Sequence, residues 1–269
     1  MSRALGQNSV GAARGWETIR LAAPSWVLPG TIADNCLFLA GRVDEAALLF
    51  FETAASLAYT RHDLPLEMAD YGLRYHVHLP LDLPWEKGGE SVAARCLALM
   101  EKVVFLDAMR AVLHPPPEGG GAERALEDFA AAWAGAGRSV SDVLLENTRD
   151  NDLCGLWPCI AGAGFGLCLD LGHILAYGQA RLRREIMSGM LPHAVRPGMV
   201  HCNAPGSGLE GGAPRGAHLP LDSLDADGIA LGKALCALLA ANGVAVAEFF
   251  DWEHVMRSLP VMDRWLRRR

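Results

Sequence analysis

The chain has 269 residues and a formal net charge of −7; 51% of its residues are hydrophobic and 20% are charged, which is typical of a globular protein. The basic residues form no continuous stripe, and this counts against a duplex nucleic acid as the partner. A run of about 18 uncharged apolar residues is absent, so the sequence predicts no membrane-spanning helix and no membrane partner.

The cysteines indicate free thiols rather than disulfides or a cysteine-ligated metal site. There are seven, an odd number, and none forms a C-x-x-C pair. Scattered cysteines of this kind are typical of buried thiols in a reducing compartment. The first residues also lack the apolar stretch of a secretory signal, so we expect a cytoplasmic protein.

Eight short apolar runs have the character of β-strands. They are rich in Val, Leu, Ile, Phe and Ala, and their hydrophobicity is mostly continuous, as expected for strands buried on both faces of a parallel sheet. The runs are residues 20–27, 45–52, 73–80, 109–116, 142–148, 166–173, 199–204 and 244–250.

Segments with helical periodicity separate these runs. The clearest predicted helices are residues 90–109, 122–137, 174–189 and 226–243. Strand followed by helix, repeated at intervals of roughly 25 to 45 residues, predicts an α/β fold of the (β/α)₈ TIM barrel type, with eight parallel strands inside a ring of helices. No Pro/Ser-rich linker divides the chain, so we predict one domain over residues 20–269 after an N-terminal extension over residues 1–19.

Acidic and imidazole side chains occur at the downstream ends of the predicted strands. A parallel β/α barrel builds its active site at this end, and imidazole mixed with carboxylate is the ligand set of a divalent-metal centre. The residues are His76 and His78 in RYHVHLP, His114 in VLHPP, Glu146 in LLENT, Asp170 and His173 in CLDLGH, His201 in VHCNA and Glu248 in VAVAEFF.

The carboxylates among them require a cation. Glu146 closes an apolar strand, where an unpaired carboxylate costs several kcal/mol to desolvate. Asp170 adds a second anion on the next strand, so we expect a divalent ion between these strand ends. His78 lies nearer the end of its strand than His76 and is the better ligand, whereas His76 packs beneath the site or orients a ligand.

Other residues are candidates for less direct roles. Glu52 ends the second run. A role in the active site and a salt bridge with an arginine such as Arg20 or Arg74 are equally good interpretations of this carboxylate. The residues that could contact the substrate are His76, Asp82, Trp85 and Asn203. For Asp82 and Trp85, packing within a surface loop is the alternative.

The segments HVHLP, LHP, LLENT, CLDLGH, HCN and AEF resemble, in this order, the apurinic-endonuclease and xylose-isomerase-like TIM barrel superfamily over strands three to eight. The endonuclease branch of that superfamily implies two or three divalent ions (Zn, Mn or Fe). The implied ligands are His78, His114 and Glu146 for one ion, Glu146, Asp170, His201 and Glu248 for a second, and His173 and His218 for a third. The sequence departs from the branch at Gly216-Ala217-His218, where an aspartate is missing and Asp222 is the candidate replacement.

The same resemblance separates two chemistries. The sugar isomerase branch uses a carboxylate-rich set on strands five to eight with a single metal, so His78 and His114 favour phosphoester hydrolysis by clustered metals. Within the superfamily, SWVLPGTIADNCLFLAGRVDEAALLFFE and YHVHLPLDLPW resemble the cobamide-remodelling phosphodiesterases. This narrower resemblance implies a small-molecule phosphodiester, the nucleotide loop of a corrinoid, as substrate.

The resulting hypothesis is a metal-dependent phosphodiesterase. Glu146 would bridge the metals, Glu248 or Asp170 would take up a proton from water, and His173 or His218 would stabilise the leaving oxygen. Two alternatives stay open. One is a single-metal sugar or keto-acid isomerase that uses Glu146 and Glu248 as an acid/base pair, and the other is a non-catalytic ligand-binding barrel.

Overall fold

The computed structural model describes residues 19–209 and 212–267, so the predicted N-terminal extension lies, apart from Ile19, outside the described residues. Eight parallel strands form a closed barrel in chain order. The predicted (β/α)₈ TIM barrel is therefore confirmed. The strands are β1 Arg20–Pro24, β2 Glu45–Leu49, β3 Arg74–His78, β4 Ala111–Leu113, β5 Val143–Glu146, β6 Gly166–Asp170, β7 Met199–Cys202 and β8 Val244–Ala247.

Each predicted run contains one strand, and each strand ends before its run does. The residues that follow the strand in each run therefore lie on the carboxyl side of the barrel, in loops or, after β6, in the first turn of the helix Leu171–Tyr177. This difference matters for function, because His114 and Glu248 come directly after β4 and β8 instead of inside them.

α-Helices follow or flank the strands and pack their apolar faces on the outside of the barrel. Among the described residues, no helix is both long enough and apolar enough to cross a membrane. The helices are α1 Ile32–Leu39, α2 Thr53–Ala58, α3 Gly89–Lys102, α4 Ala122–Gly135, α5 Trp157–Ala163, α6 Leu171–Tyr177, α7 Ala180–Met187, α8 Ala226–Leu238 and α9 Trp252–Leu266.

The prediction of one helix over residues 174–189 is wrong. α6 ends at Gly178, whose φ of 62° is the left-handed conformation that closes a helix at little cost for glycine, and α7 begins after Gln179. The predicted helix 90–109 is also shorter and ends at Lys102. The break at Gly178 has a use, because it leaves the Gln179 side chain buried beside the strand ends.

All seven cysteines lie in the described part of the chain and are buried free thiols, as the sequence predicts. One of them, Cys168, belongs to an apolar layer inside the barrel. This layer closes the barrel as a packed core. Its members are Ala22, Val112, Leu144, Cys168, Met199, Val244 and Val246.

A buried polar triad lies inside the barrel next to this layer. Glu45 accepts a hydrogen bond of 2.7 Å from His76 Nδ1 on one oxygen and forms a 2.7 Å ion pair with Arg20 Nε on the other. Arg20 therefore pairs with Glu45, and the proposed Arg20–Glu52 salt bridge is wrong. Glu52 itself is exposed at the start of α2, because the chain turns outward after Phe50.

The protonation of the Arg20–Glu45–His76 triad depends on pH, and the contacts of Glu45 and His76 set the direction of their pKa shifts. Burial alone would raise the pKa of Glu45, but the hydrogen bond from His76 and the positive charge of Arg20 lower it from 4.5 to about 2. Burial lowers the pKa of His76, so the neutral ring donates its Nδ1 proton to Glu45.

We expect Glu45→Gln to destabilise the barrel by about 2–4 kcal/mol at about pH 7, because it leaves Arg20 without its buried counter-charge. The folded pKa of Glu45 lies below the unfolded one, so this stabilisation is complete above the ordinary pKa of 4.5 and is lost as the pH falls towards 2. Urea unfolding at about pH 7 and about pH 3 measures it. The exposed Glu52→Gln serves as control, and a Glu45→Gln deficit that is the same at both pH values would contradict this account.

Candidate metal centre

The ends of six consecutive strands converge on one group of acidic and imidazole side chains. The carboxyl ends of parallel strands meet at one rim of a barrel, so residues far apart in sequence become neighbours there. The structure brings all eight predicted metal ligands to this rim: His78, His114, Glu146, Asp170, His173, His201 and Glu248 from the strand ends, and His218 from the loop after β7.

Glu146 lies at the centre of the group and is almost completely buried. Its Oε2 lies 3.1 Å from His78 Nε2 and also 3.1 Å from His114 Nε2. Its Oε1 lies 2.9 Å from His201 Nδ1. Three imidazoles from three strands therefore face one carboxylate.

The hydrogen bonds of His78 determine which of its nitrogens can bind a metal. His78 Nδ1 lies 3.0 Å from the carbonyl oxygen of Leu79, which only accepts, so Nδ1 carries the proton. Nε2 then faces Glu146 Oε2 at 3.1 Å. This separation fits both a shared proton and two neighbouring ligands of one divalent ion.

His201 gives a second indication that a cation fits here. Its Nδ1 faces Glu146 Oε1 at 2.9 Å and Glu248 Oε1 at 3.1 Å. The ring also lies against the buried thiol of Cys168. An imidazole nitrogen between two buried carboxylates is a common surrounding for a metal ligand, since both kinds of group bind divalent ions.

The donor atoms form three overlapping groups, and within each group they lie within 4.8 Å of one another. Each of the three carboxylates belongs to two groups, as bridging ligands of neighbouring ions do. The groups are His78, Glu146, His201 and Glu248; Glu146, Asp170 and His173; and Asp170, His218 and Glu248. His114 joins the first through its contact with Glu146 Oε2.

The charges of the group are strongly coupled. Burial, together with the negative charges of Glu248 and Glu146, raises the pKa of Asp170 to about 7 against the opposing effect of His173. Burial would also raise the pKa of Glu146, but His201 and His114 lower it well below its usual range. Three carboxylates thus share one small buried volume with protons and imidazoles as their counter-charge, which divalent ions would replace.

Asn147 and Gln179 hold Asp170 and His173 in place, and the sequence analysis missed both. Asn147 Oδ1 accepts a hydrogen bond of 2.8 Å from the Asp170 backbone, and its carbonyl oxygen accepts one of 2.7 Å from His173 Nδ1. Gln179 Oε1 accepts a hydrogen bond of 2.8 Å from Asn147 Nδ2. The position of Asn147 next to Glu146 in LLENT was a usable signal, whereas Gln179 had none.

Asn203 lies between two carboxylates rather than in the open pocket. Its Nδ2 donates to Asp170 Oδ2 at 2.8 Å and to Glu248 Oε2 at 3.1 Å. Gly172 makes room for it, because a Cβ at Gly172 would lie 1.7 Å from Asn203 Oδ1. Asn203 therefore orients two of the candidate metal ligands.

The other predicted substrate contacts lie around the site. His76 is fully buried inside the barrel on Glu45. Asp82 accepts two hydrogen bonds of 2.7 Å from Thr53 and so fixes the start of α2. Trp85 Nε1 donates to the carbonyl oxygen of His114 at 3.2 Å.

Asp222 does not replace the aspartate missing from the third metal site. It is exposed and forms a bidentate ion pair with Arg257, at 2.9 and 3.1 Å, away from the strand ends. His218 instead finds its carboxylate partner in Glu248, whose Oε2 lies 3.5 Å from His218 Nε2.

No protein-family model matches the sequence, and no curated protein matches it either. Solved structures do match. The chain superposes on a D-tagatose 3-epimerase-like protein with a TM-score of 0.67 and 16% identity, over 92% of this chain and 97% of that one. It superposes on endonuclease IV from Thermus thermophilus with a TM-score of 0.65 and 20% identity, over 92% and 98%.

A D-allulose 3-epimerase from Methylomonas sp., in complex with D-allulose, matches with a TM-score of 0.59 and 13% identity, over 91% of this chain and 96% of that one. These identities show a shared fold. The fold expected from the xylose-isomerase-like resemblance is thus confirmed, and the matches include both an endonuclease and sugar epimerases.

We expect Gly172→Ala to weaken metal binding by about 10- to 100-fold, because the new methyl group displaces Asn203 from Asp170 and Glu248. Titration of the metal-free protein with Mn²⁺ or Zn²⁺ in a calorimeter measures the affinity. Gly162→Ala is the matched control, since a Cβ at Gly162 in α5 meets nothing within 4 Å. Equal metal affinity of the Gly172 variant and the wild type would contradict the role given to Asn203.

Proposed function

We propose that the protein is a metal-dependent phosphodiesterase. The observation that carries the proposal is the shared contact of His78 and His114 with one oxygen of Glu146. These two imidazoles add a second ligand group to the carboxylates of β5, β6 and β8. A site with eight donors in overlapping groups suits more than one cation, and paired cations are the typical means of cleaving phosphoesters.

Bound divalent ions would polarise the phosphoryl group and lower the pKa of water. The chain's own residues supply the remaining tasks. Glu146 belongs to two of the donor groups, so its carboxylate would contribute ligand atoms to both. Glu248 lines the pocket with His218, so its Oε2 is placed to accept a proton from the attacking water. Asp170 is fully buried beneath Asn203 and is less accessible to water.

His173 and His218 line the pocket on the side opposite His78 and are half-buried. His173 Nδ1 is engaged by the carbonyl oxygen of Asn147, which leaves its Nε2 for the ligand. Whichever of the two imidazoles is not bound to a metal ion would, with a proton on its free nitrogen, donate a hydrogen bond to the oxygen that leaves phosphorus.

For the substrate we propose a small-molecule phosphodiester of the kind found in the nucleotide loop of a cobamide. Two features support this choice: the resemblance of the first half of the chain to cobamide-remodelling enzymes, and a net charge of −7 without a basic stripe for a nucleic-acid backbone. The proposed enzyme works in the cytoplasm on a diffusible substrate.

A sugar or keto-acid isomerase is the second candidate. It is favoured by the epimerase structures that share the fold, and by Glu146 and Glu248, whose carboxylates face each other across His201. Such an enzyme would move a proton between two carbons with one metal ion. The number of tightly bound ions per chain separates the two candidates.

We expect Glu146→Gln to lose metal and to lower the hydrolysis of bis(p-nitrophenyl) phosphate and of a cobamide by at least about 100-fold, because the variant removes the charge shared by two donor groups. Elemental analysis and a turnover assay on the same preparation measure both effects. The exposed Glu52→Gln is the matched control.

Hydrolysis that persists in the Glu146 variant would refute the assignment. Wild-type protein that binds a single ion per chain, epimerises ketoses and leaves both phosphodiesters intact would favour the isomerase. Tight ligand binding without any turnover in metal-loaded protein would favour a binding barrel.

A further inference from the structure

Three partly exposed aromatic side chains lie together beside the pocket, and two of them, Phe51 and Phe250, line it. Trp26 follows β1, Phe51 follows β2 and Phe250 follows β8, and these side chains are 37%, 37% and 43% exposed. β8, β1 and β2 are neighbours in the closed barrel, so the three rings lie side by side. We call them the aromatic rim.

The aromatic rim is continuous with the metal centre. Trp26 packs edge-to-face on Phe51 at 5.5 Å between ring centroids, and Phe51 packs in the same way on Phe250 at 5.9 Å. Phe250 in turn contacts the ring of His218 at 4.8 Å. A ligand group resting on these rings therefore lies directly beside a predicted metal ligand.

The lining of the pocket divides into two chemically different halves. On the side of β3 to β8 it consists of imidazoles and carboxylates. On the side of the aromatic rim, the lining residues in the described chain are apolar: Leu49, Phe50, Phe51, Leu81 and Phe250. This apolar half offers no side-chain partner for hydroxyl groups, so a free sugar that filled the pocket would leave hydroxyls unpaired there.

Contiguous exposed apolar surface of this kind usually marks a binding site, because leaving it in water costs about 25 cal/mol for each Å². The pocket is partly open to solvent and has a volume of about 100 Å³. Pockets that enclose a whole drug-sized ligand measure about 300–1,000 Å³. The pocket is therefore large enough for the reacting group alone, and the rest of the ligand must lie at the mouth.

We propose that the substrate carries a flat aromatic group next to its phosphate, and that this group packs on Trp26, Phe51 and Phe250 while the phosphate enters the metal centre. The substrate class is then a nucleotide-like phosphoester, as opposed to a free sugar or an alkyl phosphodiester. This inference rests on the proposed phosphodiesterase function and specifies its ligand.

The test compares two probes that differ only in the aromatic base: adenosine 5′-monophosphate and ribose 5-phosphate. Their affinities for Mn²⁺-loaded protein are measured by calorimetry. We expect the adenosine compound to bind about tenfold or more tightly, because a base stacks on aromatic side chains. Phe51→Ala should abolish this preference and leave the affinity for ribose 5-phosphate unchanged.

Two controls separate ring packing from general damage. Phe51→Tyr keeps a ring and should keep the preference. Phe105→Ala removes the same phenyl group between α3 and β4, at the other end of the barrel, and should also keep it. If circular dichroism shows that Phe51→Ala is unfolded, the exposed Trp26→Ala provides the same test.

Equal affinities of the two probes for the wild type would overturn the inference, and so would a Phe51→Ala variant that weakens both probes by the same factor. The hydrolysis of bis(p-nitrophenyl) phosphate is measured in the same preparations, so that a failure of this inference can be distinguished from a failure of the proposed function. Hydrolysis without a preference between the probes refutes the aromatic rim alone. A preference for the adenosine compound without hydrolysis refutes the proposed phosphodiesterase activity alone.

Discussion

The site depends on one buried carboxylate that needs a positive counter-charge, which protonated imidazoles or divalent ions can supply. Glu146 is 1% exposed and faces the nitrogens of three imidazoles, while Asp170 and Glu248 add two further negative charges nearby. In a volume of low polarity such a group is stable only with compensating positive charge. The imidazoles around Glu146 are candidate ligands for that charge, and the amide side chains of Asn147 and Asn203 orient the neighbouring groups.

The positioning residues connect this site to the fold. Asn147 is the next residue after the β5 glutamate and holds the start of α6, and Gln179 reaches it only because α6 stops at Gly178. Asn203 fits against α6 only because position 172 is a glycine. The helix break at Gly178 and the small residue Gly172 therefore lie where the side chains around Asp170 need space. The aromatic rim lies on the strands across the barrel, β8, β1 and β2.

The sequence predicts which acidic and imidazole side chains gather at the rim, because a parallel barrel brings the carboxyl end of each strand to one side. It predicts less where one residue decides the direction of a side chain. Phe51 lines the mouth and Glu52 points to solvent, although both end the same run. It also fails for contacts between segments far apart in the chain, such as that of Arg257 in α9 with Asp222, which no local pattern encodes.

Anomalous X-ray scattering from crystals of the Mn²⁺- or Zn²⁺-loaded protein tests the central claim most directly. The account predicts at least two anomalous peaks at the carboxyl rim, one of them about 2.0–2.2 Å from a Glu146 oxygen and from the Nε2 atoms of His78 and His114. A fully loaded crystal with no anomalous peak in contact with Glu146 would contradict it.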